Sequence, residues 1–182
     1  MNSFLESSIK LFEYHKELGE RTFEQLSEEQ LLWQANKESN SIAMIVKHLS
    51  GNMLSRWTNF LSEDGEKTWR DREGEFESTI KTREELLNHW ESGWSCLLTT
   101  LKSLKNEDLE KVVYIRNQGH TVVEAVTRQL AHYPLHVGQI LFIGKMLKGK
   151  EWHSPSIPKG GSAEFNKEKF SKEKEKRHFT DK

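Results

Sequence analysis

Two histidines four residues apart, His132 and His136, lie within VVEAVTRQLAHYPLHVGQILFIGKMLK, the stretch from Val122 to Lys148. Its apolar residues Val122, Val126, Leu130, Val137, Ile140 and Leu141 recur at helical spacing, which predicts one long amphipathic helix. On such a helix, positions four apart are turned by about 40° and sit roughly 5–6 Å apart at Cβ, on one face. Two imidazoles so placed can reach one metal ion. A third donor is available in His48, which sits beside Met44, Ile45 and Leu49 in another apolar stretch. An unpaired imidazole in those surroundings is costly, and coordination is one way to satisfy it. Gln129 and Gln139 flank the pair at i−3 and i+3, where their amides can fix the imidazole tautomers from behind. Gly51 and Asn52, one turn beyond His48, leave room for a ligand and add a polar group.

A blander reading competes: His132 and His136 as half-exposed surface residues, and His48 as a buried histidine with an ordinary hydrogen bond. The core-rich character of the helix, the flanking glutamines and the third imidazole favour the metal. His120 falls in a turn-like segment and reads as a loop histidine or a fourth participant. His15, His89, His153 and His178 are assigned to the surface. Cys96 lies in a Leu/Trp-rich helical pattern and reads as a small apolar residue, not a nucleophile. Neither GxGxxG nor GxxxxGK followed by Ser or Thr occurs, so no phosphate-cradling loop is expected. Arg56, Arg70, Arg72 and Arg83 can bind an anionic substrate, with exposed pairing to the Glu-rich loop as the default.

The elements that must position these side chains can be read in chain order. Residues 3–18 place Phe4, Leu5, Ile9, Leu11, Phe12 and Leu18 mostly on one broad helical face, with Gly19 as a C-cap or weak point. Ser27-Glu28-Glu29-Gln30 has the form of a capping box and opens a short helix. From Ser41, SIAMIVKHLSGNMLSRWTNFLSE predicts a second long helix with His48 in its middle. Asp64 to Ser78 is charged, holds two glycines and reads as an ordered loop. Thr82-Arg83-Glu84-Glu85 is another capping box, launching a third helix through Leu86, Trp90, Trp94, Leu97 and Leu101. Lys111 to Val123 holds two short β-branched runs around Asn117-Gln118-Gly119, the pattern of a small hairpin. The histidine-bearing helix follows, with a kink or slight opening expected at Pro134. After Gly149 the chain turns irregular and ends in the charged run FNKEKFSKEKEKRHF.

The expected fold is therefore all-α: a four-helix bundle with a hairpin-like connection before the last helix and an irregular C-terminal tail. Residues 1–150 form the metal-binding bundle in this reading, and residues 151–182 a C-terminal extension, partly packed and partly disordered. A formal net charge of -1 gives no basic footprint for nucleic acid. No apolar run approaches the ~20 residues of a membrane span. The single Cys96 excludes an intrachain disulfide, and the opening MNSFLESSIKLFEYHK lacks the pattern of a secretory leader. A cytoplasmic protein is expected, with a small-molecule substrate as partner, no nucleic acid or membrane, and a homodimer formed through an apolar helix face.

Four helices, a histidine midway along the second and HxxxH on the last together resemble the DinB/YfiT-like superfamily of metal-dependent enzymes. The segments IVKHLSGNMLSRWTNFLSEDGEKTW and RQLAHYPLHVGQI look like one bacterial branch of it. By position, the resemblance implies that His48, His132 and His136 bind a divalent metal. Zinc or nickel leads, and iron or cobalt also suits an all-histidine site. Relatives that transfer a low-molecular-weight thiol such as bacillithiol make a thiol S-transferase the expected activity. A hydrolase of small electrophiles is the neighbouring reading, and a non-enzymatic metal-binding or stress-related interaction protein the alternative. No thiol-binding motif stands out.

Overall fold

Short polar caps start four of the helices. In the computed structural model, which describes residues 3–181, α1 spans Ser3–Phe23 and α2 Glu28–Leu32, the latter opened by a reciprocal capping box between Ser27 and Gln30. Ser41 accepts from the Met44 amide to start α3, Ile42–Trp57. Thr82 and Glu85 cap each other at the head of α4, Arg83–Ser103. Thr121 and Glu124 do the same for α5, Val122–Lys148. Each such box satisfies two of the amides that a helix N-terminus leaves without partners.

The four long helices form the bundle, and the chain is all-α apart from one small hairpin. α1 packs against α4 and α5, and α3 packs against the same two, so α1 and α3 stand at opposite corners. At the centre each helix contributes one large ring: Phe12, Trp57, Trp94 and Tyr133, all fully buried. Phe12 lies 5.9 Å from Tyr133 and 6.4 Å from Trp94 between ring centroids. Removing one such ring typically destabilises a fold by about 3–5 kcal/mol. This plug fixes the rotation of α3 and α5, and with it the faces that carry the histidines.

Two local expectations need correction. Gly19 does not end α1, which continues to Phe23. It lets Trp90 approach instead, since a Cβ there would meet Trp90 Cζ2 at 2.4 Å. Pro134 lies inside α5, whose helical span runs on through it. The hairpin, β1 (Val112–Ile115) and β2 (Gln118–Thr121), pairs Ile115 with Gln118. Its turn is therefore Arg116-Asn117, one residue earlier than the glycine suggested. Both have positive φ, 55° and 60°, the requirement of a type I′ turn. Asp64 holds it: the Arg116 and Asn117 amides donate to its two carboxylate oxygens, each at 2.8 Å.

Beyond α5, a 3₁₀ turn at Gly149–Glu151 leads to Trp152, which packs over Gly144. The charged run expected to be solvated contains a short helix, α6 (Ser162–Phe170), with no buried residue. The end of the chain then returns to α1, with Phe179 edge-on to Tyr14 at 5.4 Å and Asp181 paired with Lys10 at 2.8 Å. No helix among the described residues is long and apolar enough to cross a membrane.

Candidate metal centre

His48 from α3 and the pair His132 and His136 from α5 converge. One ring nitrogen from each lies within 4.8 Å of the others. The His48 ring centroid is 4.8 Å from that of His136 and 5.5 Å from that of His132. His48 is buried, and the two α5 histidines are half-buried.

Each imidazole is held from behind through Nδ1. That atom of His132 lies 3.2 Å from Gln129 Oε1, and that of His136 lies 2.8 Å from Gln139 Oε1. For His48 the partner is Glu75 Oε2, at 2.9 Å. A neutral imidazole has one N–H. With Nδ1–H donated backwards, Nε2 is left as a bare lone pair on all three rings. The Nε2 atoms of His132 and His136 face each other at 3.1 Å. Two lone pairs at that distance repel unless a proton or a cation lies between them. Tetrahedral zinc, with Zn–N near 2.0–2.1 Å, separates its donors by ~3.3 Å. The donor set and its spacing fit a divalent cation.

The electrostatics keep the donors in their ligand form. Burial, with the neighbouring His136 and His48 and the Arg56 and Arg70 guanidiniums, pushes His132 down to about 4. Burial also lowers His136, against its hydrogen bond to Gln139 and with added help from His48. Both rings are therefore neutral at pH 7. Burial alone would raise the Glu75 carboxyl, but hydrogen bonds from His48 and Arg70 outweigh it and hold it below the usual carboxylate range.

Glu75 is the residue that sequence reasoning missed. It lies on a 3₁₀ turn, Gly74–Phe76, inside the charged excursion between α3 and α4. The next residue, Phe76, stacks on the His48 ring at 4.9 Å. Arg70 from the same excursion donates to both oxygens of Glu75, at 2.7 and 2.9 Å. The signal was Gly51. The space beside it holds the Glu75 carboxylate and not a ligand, since a Cβ there would lie 2.2 Å from Glu75 Oε1. A glycine inside an apolar helix marks such a close approach.

The remaining candidates fall elsewhere. Asn52 lines the same cavity as the histidines, but it touches none of them through a hydrogen bond. Its Oδ1 accepts from the Tyr133 hydroxyl at 3.0 Å, and that hydroxyl accepts from Trp57 Nε1 at 3.0 Å. His120 sits on β2 opposite Val113, outside the cluster. His15 contacts the Leu11 carbonyl, and His178 contacts Ser7. Cys96 is half-buried, 3.7 Å from Thr58 Oγ1. Arg83 leaves the expected arginine group to cap the end of α1 through the Phe23 and Leu26 carbonyls. Arg56 and Arg70 are not exposed, contrary to expectation: their guanidiniums are buried, and with Arg72 and Arg128 they line a cavity of about 390 Å³ above the three histidines.

The fold has a counterpart among solved structures. The chain is similar to a solved structure described as the conserved protein of locus from Enterococcus faecalis, at 16% identity and a TM-score of 0.59. The likeness covers 82% of this chain and 99% of that one, and at such identity it speaks to the fold alone. No curated protein matches the chain. Residues 1–161 match a family described as "Protein of unknown function (DUF1572)". With the match spanning nearly the whole bundle, this protein belongs to the DUF1572 family, a DinB/YfiT-like family.

Proposed function

We propose that this chain is a metal-dependent enzyme acting on a small electrophilic molecule, by transfer of a low-molecular-weight thiol of the bacillithiol type or by hydrolysis. The observation that carries the reading is the convergence of one ring nitrogen each from His48, His132 and His136 at the wall of one cavity, with each imidazole anchored through Nδ1. His48, His132 and His136 would hold the ion, zinc or nickel first, with iron or cobalt as substitutes. Such an ion acts as a Lewis acid and lowers the pKa of a thiol or water bound to it.

The chain's own residues do the rest. Glu75 fixes the tautomer of His48 and raises its basicity as a donor, while Gln129 and Gln139 set the two rings on α5. Arg70 keeps Glu75 ionised and in place. Phe76 shields the outer face of His48 and limits the access of water from that side. Three protein donors leave coordination open, the arrangement of catalytic and not structural sites. The cavity of about 390 Å³ that the three histidines line favours an enzyme over a metal carrier, the non-enzymatic metal-binding reading.

Metal analysis of untagged protein tests the centre: near one equivalent per chain is expected, and less in His132→Ala. Wild type that resists loading removes both the enzyme and the carrier. Incubating the loaded protein with a thiol and a chlorodinitrobenzene or an epoxide separates those two. Conjugate formation above the His48→Ala level supports the transferase, and formation at that level favours the carrier.

A further inference from the structure

Arg56 is buried, 5% exposed, yet its Nε and Nη1 have no hydrogen-bond partner among the described residues. A guanidinium carries five N–H donors and cannot shed its charge. Burying one without a counter-ion is unfavourable unless something arrives to pair it. Every nearby carboxylate is already engaged. Glu75 is taken by His48 and Arg70. Glu66 is shared by Arg70 and Arg116, each at 3.3 Å. Asp64 is taken by the backbone amides of Glu66, Arg116 and Asn117.

Arg56 lines the cavity above the three histidines together with Arg70, Arg72, Arg116 and Arg128, and no Asp or Glu lines it. Arg128 also has no ion-pair partner among the described residues. Arg72 pairs with Glu73 at the exposed rim and lies over the Phe76 ring, 5.8 Å from its centroid. The wall is thus cationic beyond what the protein itself neutralises, and one of its buried cations, Arg56, keeps two donors without partners.

We propose that Arg56 is the docking group for an oxyanion, carboxylate or phosphate, carried by the molecule that enters this cavity. Its Nε and Nη1 are sealed from solvent, and a small turn of the side chain toward the cavity it lines would let its planar fork pair two oxygens of either group at once. Arg128 adds charge at the mouth and draws the anion in. The inference rests on reading the cavity as the substrate chamber and narrows the substrate to a small anionic molecule.

The test uses the full chain, freed of metal with a chelator, and two probes, inorganic phosphate and succinate. Binding is read by calorimetry and by the rise in melting midpoint that a ligand of the folded state produces. Wild type should bind at least one probe, and which one separates phosphate from carboxylate. Arg56→Met should bind it at least tenfold more weakly. Without a probe, Arg56→Met should melt at or above the wild-type midpoint, because an unpaired buried charge has been replaced by an apolar chain. A purely structural arginine would show the opposite. Should Arg56→Met not fold, Arg56→Lys carries the test: it keeps the charge without the fork, and affinity must still fall at least threefold. Wild type that binds neither probe, or variants that bind as tightly as wild type, overturn the proposal. Metal uptake measured on the same proteins keeps the two readings apart. Uptake without anion binding sinks only this inference, and anion binding without uptake sinks only the metal centre.

Discussion

Glu75 accepts from His48 at 2.9 Å, and the two side chains are only 6% and 7% exposed. The contact joins α3 to a loop residue 27 positions away and carries no trace of helical periodicity. Its energetics are coupled to Arg70, whose side chain is 3% exposed and which grips the same carboxylate. Glu75→Ala should strand both partners, and breaking a buried pair from one side destabilises by about 3–5 kcal/mol. Glu75→Gln keeps the shape and an acceptor for His48 Nδ1 but sets an amide nitrogen against Arg70 Nε, so it should fold with a smaller loss than Glu75→Ala. It should still weaken metal binding by about 10–100-fold, the usual effect of altering the group behind a ligand histidine. Chemical denaturation and a competitive zinc titration check the two halves.

Gly51 makes that contact sterically allowed. Alanine is normally favoured over glycine within a helix by about 1 kcal/mol. Here the added methyl would overlap the Glu75 carboxylate, which its two hydrogen bonds from Arg70 keep from moving aside. Gly51→Ala should therefore destabilise by about 1–3 kcal/mol, the range for overpacking, and lower metal affinity with it. Denaturant melts of Gly51→Ala alone and combined with Glu75→Gln should show non-additive losses, because the two sites touch.

These two residues also mark where the sequence stops being legible. The bundle was readable because its information is local: Ser27, Ser41 and Thr82 each announce a helix start, and Leu86, Trp90, Trp94, Leu97 and Leu101 repeat at the helical period. His132 and His136 share a face by spacing alone, and Gln129 and Gln139 stand behind them at fixed offsets on the same helix. Glu75, Phe76 and Arg70 come from an excursion without periodicity, so nothing local tied them to His48. Arg56 and Arg70 looked like surface charges because their burial depends on how that excursion folds back over α3. The hairpin was legible, but its turn lay one residue off. Asp64, 52 residues from Arg116, stabilises a positive-φ pair that composition alone would have placed at the glycine.

Acid should unfold the metal-free protein in a window set partly by His132. Its folded-state value of about 4 lies below the ~6.5 of an unfolded histidine. Between these values the unfolded chain binds a proton that the folded chain refuses, so stability rises with pH across the interval. The stabilisation is complete above about pH 6.5 and drains away as the pH falls toward 4. His136 is shifted in the same direction by its burial. The depressed carboxyls of Glu75 and Asp64 add their losses at lower pH, below the ordinary carboxyl range. Thermal melts of chelator-treated protein between pH 7 and 4.5 should fall steadily, and His132→Gln should flatten the slope. A wild-type midpoint constant over that range would contradict the burial of these rings.

Tyr133 offers a way to disturb the chamber without touching the ligands. Its hydroxyl is fully buried, accepting from Trp57 and donating to Asn52, so one oxygen ties α3 to α5 directly behind His132. Burial raises its pKa, so it remains a phenol and a donor at every working pH. Tyr133→Phe keeps the ring in the aromatic plug but leaves Trp57 Nε1 and Asn52 Oδ1 without partners. Each orphaned buried group costs about 1–3 kcal/mol, and water reaching Asn52 from the cavity should bring the total toward the lower end. Metal stoichiometry should stay at the wild-type level, since none of the three imidazoles bonds to that hydroxyl. Freeing Asn52, which lines the cavity, should change the affinity for small anions more than the affinity for zinc. Paired zinc and phosphate titrations on Tyr133→Phe check this, and a loss of zinc binding matching that of His132→Ala would show that the hydroxyl helps hold the donor set itself.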